Sequence, residues 1–278
     1  MTDPSYHFTL GQFEILVMKA GGNPRAATAF LPDAPPDELI PIVRRFNINP
    51  DEMAWSMNVV LVKTGTHTVL IDTGLPTSSV DQKLAAEGVT AGEVDTIIIT
   101  HGHGDHVGGI LNATGEFVYP NARYIFWKSE WDYWTADGRF AEGDSNPTRA
   151  IWQALKANPQ RVTVIGGDTQ EVDVLPGIRA IATPGHTIGH IALLLESNGQ
   201  KLLHIADAAH QPFQMACPQW SPGFDFDKSL SPDSRRLVFE RAAQEKALLL
   251  AYHFAFPGIG RVVQHNDGLA WEVVGGAR

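Results

Sequence analysis

The sequence predicts an α/β (α+β) fold of two packed mixed sheets with helices on the outside, and two observations carry that reading. Apolar strand-like runs fall into two series along the chain, and helix-patterned segments interrupt both. In each series the strands run out into polar, chemistry-bearing motifs, so the strand ends can converge on one edge. At 278 residues the chain is read as one domain spanning 1–278, with residues 1–50 as an N-terminal strand and a Pro-rich arm.

Residues 21–50 hold Pro32, Pro35, Pro36, Pro41 and Pro50 and read as an irregular arm covering part of the domain. Met57–Lys63, a turn at Gly65 and His67–Ile71 read as a hairpin ending in Asp72-Thr73-Gly74. Val80–Glu87 reads as a short helix and Val94–Thr100 as a buried strand. The second series is Val162–Ile165, Ile178–Ala182, Ile191–Glu196 and Lys201–Ala206, with Asn198-Gly199 as a hairpin turn. A helix is expected over Pro232–Glu245, capped by Ser231 with Pro232 at its first position. Ala247–Ala251 is the last strand.

Composition excludes several classes. A net charge of −10 with 19% charged residues and no basic run argues against nucleic acid, whose phosphates require clustered Lys and Arg. The same acidity gives no attraction to anionic lipid, and no apolar run reaches the length of a membrane span. The N-terminus, Met1-Thr2-Asp3-Pro4, has neither a basic nor an apolar signal region, so no secretory signal is expected. The single Cys217 excludes an internal disulfide and a cysteine-rich zinc ribbon. A cytoplasmic protein is expected.

The run His101-Gly102-His103-Gly104-Asp105-His106 carries the chemistry. It follows the apolar run Thr96–Thr100, and alternate positions of an extended segment face one way, so His101 and His103 can grip one ion. Asp105 and His106 come where the chain turns and can face a second ion. Gly102 and Gly104 let the backbone bend tightly. Burying such groups without partners costs several kcal/mol each, roughly 2–7, so a metal site is the reading.

A dinuclear site needs further ligands. His186, in the turn Thr183-Pro184-Gly185-His186-Thr187, can complete a set with His101 and His103. Asp207 ends a strand and can bridge both ions, and His253 can join Asp105 and His106.

With these residues in this order, and Asp72 in Leu70-Ile71-Asp72-Thr73-Gly74, the chain resembles the metallo-β-lactamase superfamily over roughly residues 55–265. The resemblance implies an αββα sandwich with two ions at the sheet edges. It assigns His101, His103 and His186 to one ion, Asp105, His106 and His253 to the other, and Asp207 to both, with Asp72 orienting ligands from behind. Asp207 replaces the thiol of the cysteine-liganded β-lactamases, so penicillin hydrolysis is not expected. The flavodiiron proteins carry a glutamate where this chain has His103. The stretches Asp207-Ala208-Ala209-His210 and Ala251–Gly260 are similar to methyl-parathion-hydrolase-like enzymes and quorum-quenching lactonases. Many lactonases of the superfamily place a tyrosine three residues after the bridging aspartate, where this chain has His210.

The expected reaction is hydrolysis of a lactone or other ester, with side activity on phosphotriesters. A hydroxide shared by two divalent ions would attack, since no Gly-x-Ser-x-Gly elbow supplies a nucleophile. His210 would stabilise the oxyanion or protonate the leaving oxygen. Zinc is favoured by the ligand chemistry, with cobalt, manganese and iron compatible. Alternatives are a glyoxalase II-like thioesterase, which Pro184-Gly185-His186-Thr187 also resembles, and a non-catalytic ligand-binding member. The thioesterase needs a basic cluster, and Arg235, Arg236 and Arg241 read instead as a solvated helix face. His190 is expected to brace the loop of His186. Trp131, Trp134, Phe213, Trp220 and Phe226 are candidates for an apolar pocket, and a homodimer is compatible with the arm.

Overall fold

The computed structural model describes residues 4–140, 144–265 and 268–274. Met1, Thr2 and Asp3, on which the expectation of no secretory signal largely rests, lie outside the described residues. The chain opens with a hairpin of β1 (Ser5–Leu10) and β2 (Phe13–Lys19), followed by α1 (Ala27–Phe30) and α2 (Pro36–Arg45). Next come β3 (Asn58–Lys63), β4 (Thr68–Ile71), α3 (Val80–Ala86), β5 (Thr96–Ile98) and α4 (Gly104–Val107). Then follow β6 (Arg123–Trp127), α5 (Lys128–Thr135), α6 (Arg149–Ala157) and β7 (Val162–Ile165). These seven strands form one sheet in chain order, antiparallel from β1 to β4 and parallel from β4 to β7.

The second sheet contains β8 (Glu171–Leu175), β9 (Ile178–Ala182), β10 (Ile191–Ser197) and β11 (Gln200–His204). After α7 (Ser231–Gln244) it is completed by β12 (Leu248–Leu250), β13 (Ile259–His265) and β14 (Gly268–Val273). Its order is β14-β13-β12-β11-β10-β9-β8, antiparallel except for β11 beside β12. That parallel pair needs a crossover, and α7 supplies it.

Alternation along the strands builds the layers. Val60, Val62, Val69 and Ile71 face inward against Leu193, Leu195, Leu202 and Leu250 of the other sheet. The opposite faces are covered by helices: Leu70, Ile97 and Tyr124 pack under Leu84, Trp152 and Leu155, and Leu194, Leu203 and Leu249 under Val238, Phe239 and Ala242. The result is the expected αββα layering. No helix among the described residues is long and apolar enough to cross a membrane.

The topology also aims the strand ends. β4 and β5 run parallel, and β9, β11 and β12 share a direction because β9 and β11 both pair antiparallel to β10. The segments after these five strands carry Asp72, the histidine run, His186, Asp207 and His253.

Several expectations are corrected. Val162–Ile165 belongs to the first sheet, paired parallel to β6, because its apolar pattern cannot say which sheet it joins. The first 50 residues hold two strands rather than one, and the Pro-rich arm contains α1 and α2. Pro36 opens α2 where its missing N–H costs nothing. Ser231 does not cap α7: it lies inside the helix and its hydroxyl donates to Asp227 O. The Asn198-Gly199 turn is as expected, both residues at positive φ between the paired Ser197 and Gln200.

The inter-sheet layer sets stability. Leu193→Ala, at a fully buried position, is expected to lower the unfolding free energy by about 2–5 kcal/mol. Val164→Ala, on an exposed strand position, should change it by less than about 0.5 kcal/mol. Paired urea melts check both.

Candidate metal centre

At the shared edge, the sequence-predicted ligands come together around one carboxylate oxygen. Asp207 Oδ2 lies 3.2 Å from His253 Nε2, 3.3 Å from His186 Nε2, 3.4 Å from His106 Nε2 and 3.8 Å from His101 Nε2. His103 Nδ1 sits 3.1 Å from His101 Nε2 and 3.0 Å from His186 Nε2. Asp105 Oδ2 is 3.4 Å from His253 Nε2 and 3.8 Å from His106 Nε2. Among the described residues four three-residue sets have their donor atoms within 4.8 Å of one another: His101/His103/His186, Asp105/His106/His253, His101/His106/Asp207 and His186/Asp207/His210.

The donor set fits a pair of divalent ions. Four nitrogen or oxygen ligands about 2.0–2.1 Å from zinc in a tetrahedron stand about 3.3 Å apart, close to the spacings within the histidine trio. His106 Nε2 and Asp207 Oδ1 are buried with no hydrogen-bond partner among the described residues, a costly state that an ion would relieve.

Groups behind the ligands fix which nitrogen faces inward. His106 Nδ1 donates to Asp72 Oδ2 at 2.8 Å, His186 Nδ1 to Asp225 Oδ1 at 2.9 Å, and His253 Nδ1 to Ser56 O at 2.8 Å. Carboxylates and carbonyls only accept, so in the neutral imidazole each opposite Nε2 carries the lone pair that a metal would take. Asp72 also accepts from the Thr100 amide and hydroxyl, both at 2.8 Å. Asp72 thus stands where it was expected, behind His106. His190 braces as anticipated: its Nε2 accepts the Asp207 amide at 3.0 Å while its Nδ1 donates to Thr183.

Burial holds the imidazole pKa of His101 well below its ordinary value and that of His103 at about 3, with neighbouring imidazoles adding to the effect. Burial works the same way on His106 and His253. There carboxylates outweigh it: Asp207, Asp72 and Asp105 lift His106 well above the usual value, and Asp207 with Asp105 lifts His253 to about 9. Burial would raise Asp207, but His253, His106 and His210 hold it well below the carboxylate range.

His210 is fully enclosed. Its ring lies 5.5 Å from Trp55 and 5.4 Å from His253, both nearly parallel to it. Its Nε2 is 3.4 Å from Asp207 Oδ2, and burial brings its pKa down to about 4. A cleft of about 280 Å³ opens over the ligands, walled by Trp55, Phe224 and Arg25, and His210 is not part of its lining.

The expected aromatic pocket is corrected. Trp134 stacks on Trp152 in the helical layer and Trp131 packs beside it. Phe213 and Trp220 pack with the N-terminal arm, and Phe226 is an exposed residue leaning on Tyr133. Arg235 is corrected too. It is fully buried rather than solvated, bonded to Ala208 O, Pro218 O and Trp220 O and to Asp225 Oδ2 at 3.3 Å. Arg236 is exposed as expected, paired to Asp233. Gly102 serves close packing rather than a bend: a Cβ there would lie 2.0 Å from Trp134 Nε1.

Sequence reasoning missed Asp225, Glu130, Trp55 and Arg25. Buried Glu130 accepts from Gly102 N, Gly189 N, Thr187 Oγ1 and Trp134 Nε1 at 2.7–2.8 Å. A Glu four residues before Trp134 on a helix was the one available signal for it. Asp225 sits in an irregular loop that has no periodicity to read.

Asp225 ties a ligand to a buried cation, so its loss should be felt twice. Asp225→Asn is expected to weaken zinc binding by about 10–100-fold and to destabilise the metal-free chain by about 3–5 kcal/mol, because Arg235 is left buried without its anion. Competition with a chelating dye and denaturant melts measure the two effects.

Known proteins agree with this geometry. Residues 54–253 match the family model of the metallo-beta-lactamase superfamily. An atrochrysone carboxyl ACP thioesterase of Passalora fulva is 28% identical over 64% of this chain and 45% of its own length, so the chain spans less than half of that relative. An N-acyl homoserine lactonase from a Bacillus species is 27% identical over 69% of this chain and 79% of its own. Among solved structures, the dizinc quorum-quenching lactonase AidC, in complex with a product, superposes with a TM-score of 0.85 at 23% identity, covering 99% of both chains. With two hundred residues of the family model matched, the αββα layers in place and the histidine run at the sheet edge, this chain belongs to the metallo-beta-lactamase superfamily.

Proposed function

We propose that this metallo-hydrolase works with two divalent ions and opens lactones or cleaves other carboxylic esters. The observation that carries the reading is the convergence of His101, His103, Asp105, His106, His186 and His253 about Asp207. When bound, the ions would supply acidified water as the nucleophile and polarise the scissile carbonyl. Zinc is the ion favoured by this mixture of imidazole and carboxylate ligands.

The chain's own groups do the remaining work. Asp207, with its amide held by His190, would be shared between the two ligand sets. Asp72, Asp225 and Ser56 would hold the imidazoles in the tautomer that leaves Nε2 free. His210 would act through Asp207 as a positioning residue, since it is closed off from the cleft. Trp55 and Phe224 would exclude water from one side of the substrate. The lactonase among the relatives and the lactonase fold neighbour support a lactone as the first substrate to try.

A thioester is the second reading, favoured by the thioesterase among the relatives. The glutathione form of that reading is not supported, since Arg235, one of its three candidate cations, is buried and paired to Asp225.

Metal binding is expected to be visible in stability before any substrate is found. Zinc at ~100 times its Kd should stabilise the folded chain by about 2.7 kcal/mol, read as a rise in Tm that a chelator reverses. The zinc- or cobalt-loaded chain is expected to hydrolyse an N-acyl homoserine lactone with kcat/KM of about 10⁴ M⁻¹s⁻¹ or more, and the chelated control should be inactive. Negligible turnover with both ions bound would remove the lactone assignment and move the search to thioesters.

A further inference from the structure

The cleft has one cationic wall. Arg25 lines it, exposed, with its guanidinium 4.4 Å above the Trp55 ring. The backbone beneath is pinned, Arg25 and Met53 exchanging hydrogen bonds at 3.0 and 2.8 Å. Trp55 also packs 4.6 Å from the ring of His253, so one indole is in contact with both the guanidinium and a candidate ligand. Among the described residues, no carboxylate pairs with Arg25 and its five N–H donors have no acceptor. Its place over the indole restrains the guanidinium, a group whose N–H fork can take a carboxylate in two parallel bonds. Phe224, also in the lining, is 41% exposed and offers an apolar face. In a chain of net charge −10, an unpaired cation at the mouth of a cleft is a local reversal of sign.

We propose that Arg25 is a specificity-determining residue that binds a carboxylate on the substrate. The substrate class would then be an ester or lactone with an apolar arm that ends in a carboxylate. This rests on the hydrolase reading above: the scissile carbonyl lies at the ligand cluster, the arm runs along Phe224 and Trp55, and the anion meets Arg25 at the rim. Because the guanidinium is exposed, salt screens the attraction.

The test uses two esters of equal length, mono-p-nitrophenyl adipate and p-nitrophenyl hexanoate, on the zinc-loaded chain and its Arg25→Gln and Arg25→Lys variants. The expected result is a higher kcat/KM for the adipate ester, carried by KM and shrinking with added salt. That ratio should fall about tenfold in Arg25→Gln, the size of one charge-assisted contact, and recover in part in Arg25→Lys. An unchanged ratio in Arg25→Gln would overturn the proposal and leave Arg25 as a packing residue on Trp55. Calorimetry with free adipate and free hexanoate separates this from failure of the hydrolase reading. If neither ester is turned over, tighter binding of adipate by the native chain, lost in Arg25→Gln, still supports the Arg25 site. Equal binding of both acids would refute it.

Discussion

The centre depends on a carboxylate that is not among its ligands. Glu130, 1% exposed, accepts hydrogen bonds from the amide of Gly102, inside the histidine run, and from Thr187 and Gly189, which flank the loop after His186. It therefore ties a loop of the first sheet to a loop of the second across the edge where they meet. The trio His101, His103 and His186 draws on both loops, so the spacing of its nitrogens is set by this tie. Trp134 donates to the same carboxylate and fills the space above Gly102, which is why that residue has no side chain. A hydrogen bond to a charged group is worth about 1.5–3 kcal/mol, and four on one buried acid outweigh what a single neutral contact between the loops would give.

Around this tie, the polar groups are arranged so that few share an interest with solvent. Asp72 sits at positive φ after β4, a conformation aspartate tolerates because its short side chain can bond locally. From there it meets Thr100 and His106. Asp225 joins His186 to Arg235, and Arg235 in turn ties down three carbonyls of the segment from Ala208 to Trp220. His106, His186, His253 and Asp207 thus each rest on a second polar group, and Asp72, Asp225 and His190 rest in turn on Thr100, Arg235 and Thr183. Such a network is expensive if half made, since an unpaired buried group forfeits its hydration. Among the unpartnered buried atoms of the described residues, His106 Nε2 and Asp207 Oδ1 lie at the ligand cluster, where a cation would complete the network.

Much of the centre was legible because metal chemistry is written in few letters. Three histidines and an aspartate within six residues, with each further candidate following an apolar strand, named seven residues that the structure brings to one edge. The strands carrying them were legible for the same reason, since buried strands beside a core read as apolar runs. What stayed hidden has physical causes. Val162–Ile165 has the right pattern but nothing in it specifies the neighbouring strand. Arg235 on α7 looks like Arg236 beside it, and only the fold turns one inward to Asp225. Of the aromatics expected in the pocket, Trp131 and Trp134 pack into a helical layer and Phe213 and Trp220 against the arm, because an aromatic beside a core is held by the same burial whether or not a ligand is near.

The cleft and the centre are built by different parts of the chain. All seven candidate ligands follow strands of the two sheets. Two of the three residues walling the cleft, Arg25 and Trp55, come from the segment between β2 and β3 that also contains the Pro-rich arm. That segment packs through Phe30, Leu39 and Val43 onto Phe213 and Cys217, a cluster separate from the inter-sheet layer. A change in the arm can therefore reshape the rim while leaving the hydrogen bonds that orient His106 and His186 in place, whereas His253 is oriented by Ser56 O of the same segment. Trp55 is the point of contact between the two parts, stacked on His210 and close to His253. Arg25 lies over the same indole, so the proposed selection of the substrate and the support of the centre would meet in one ring.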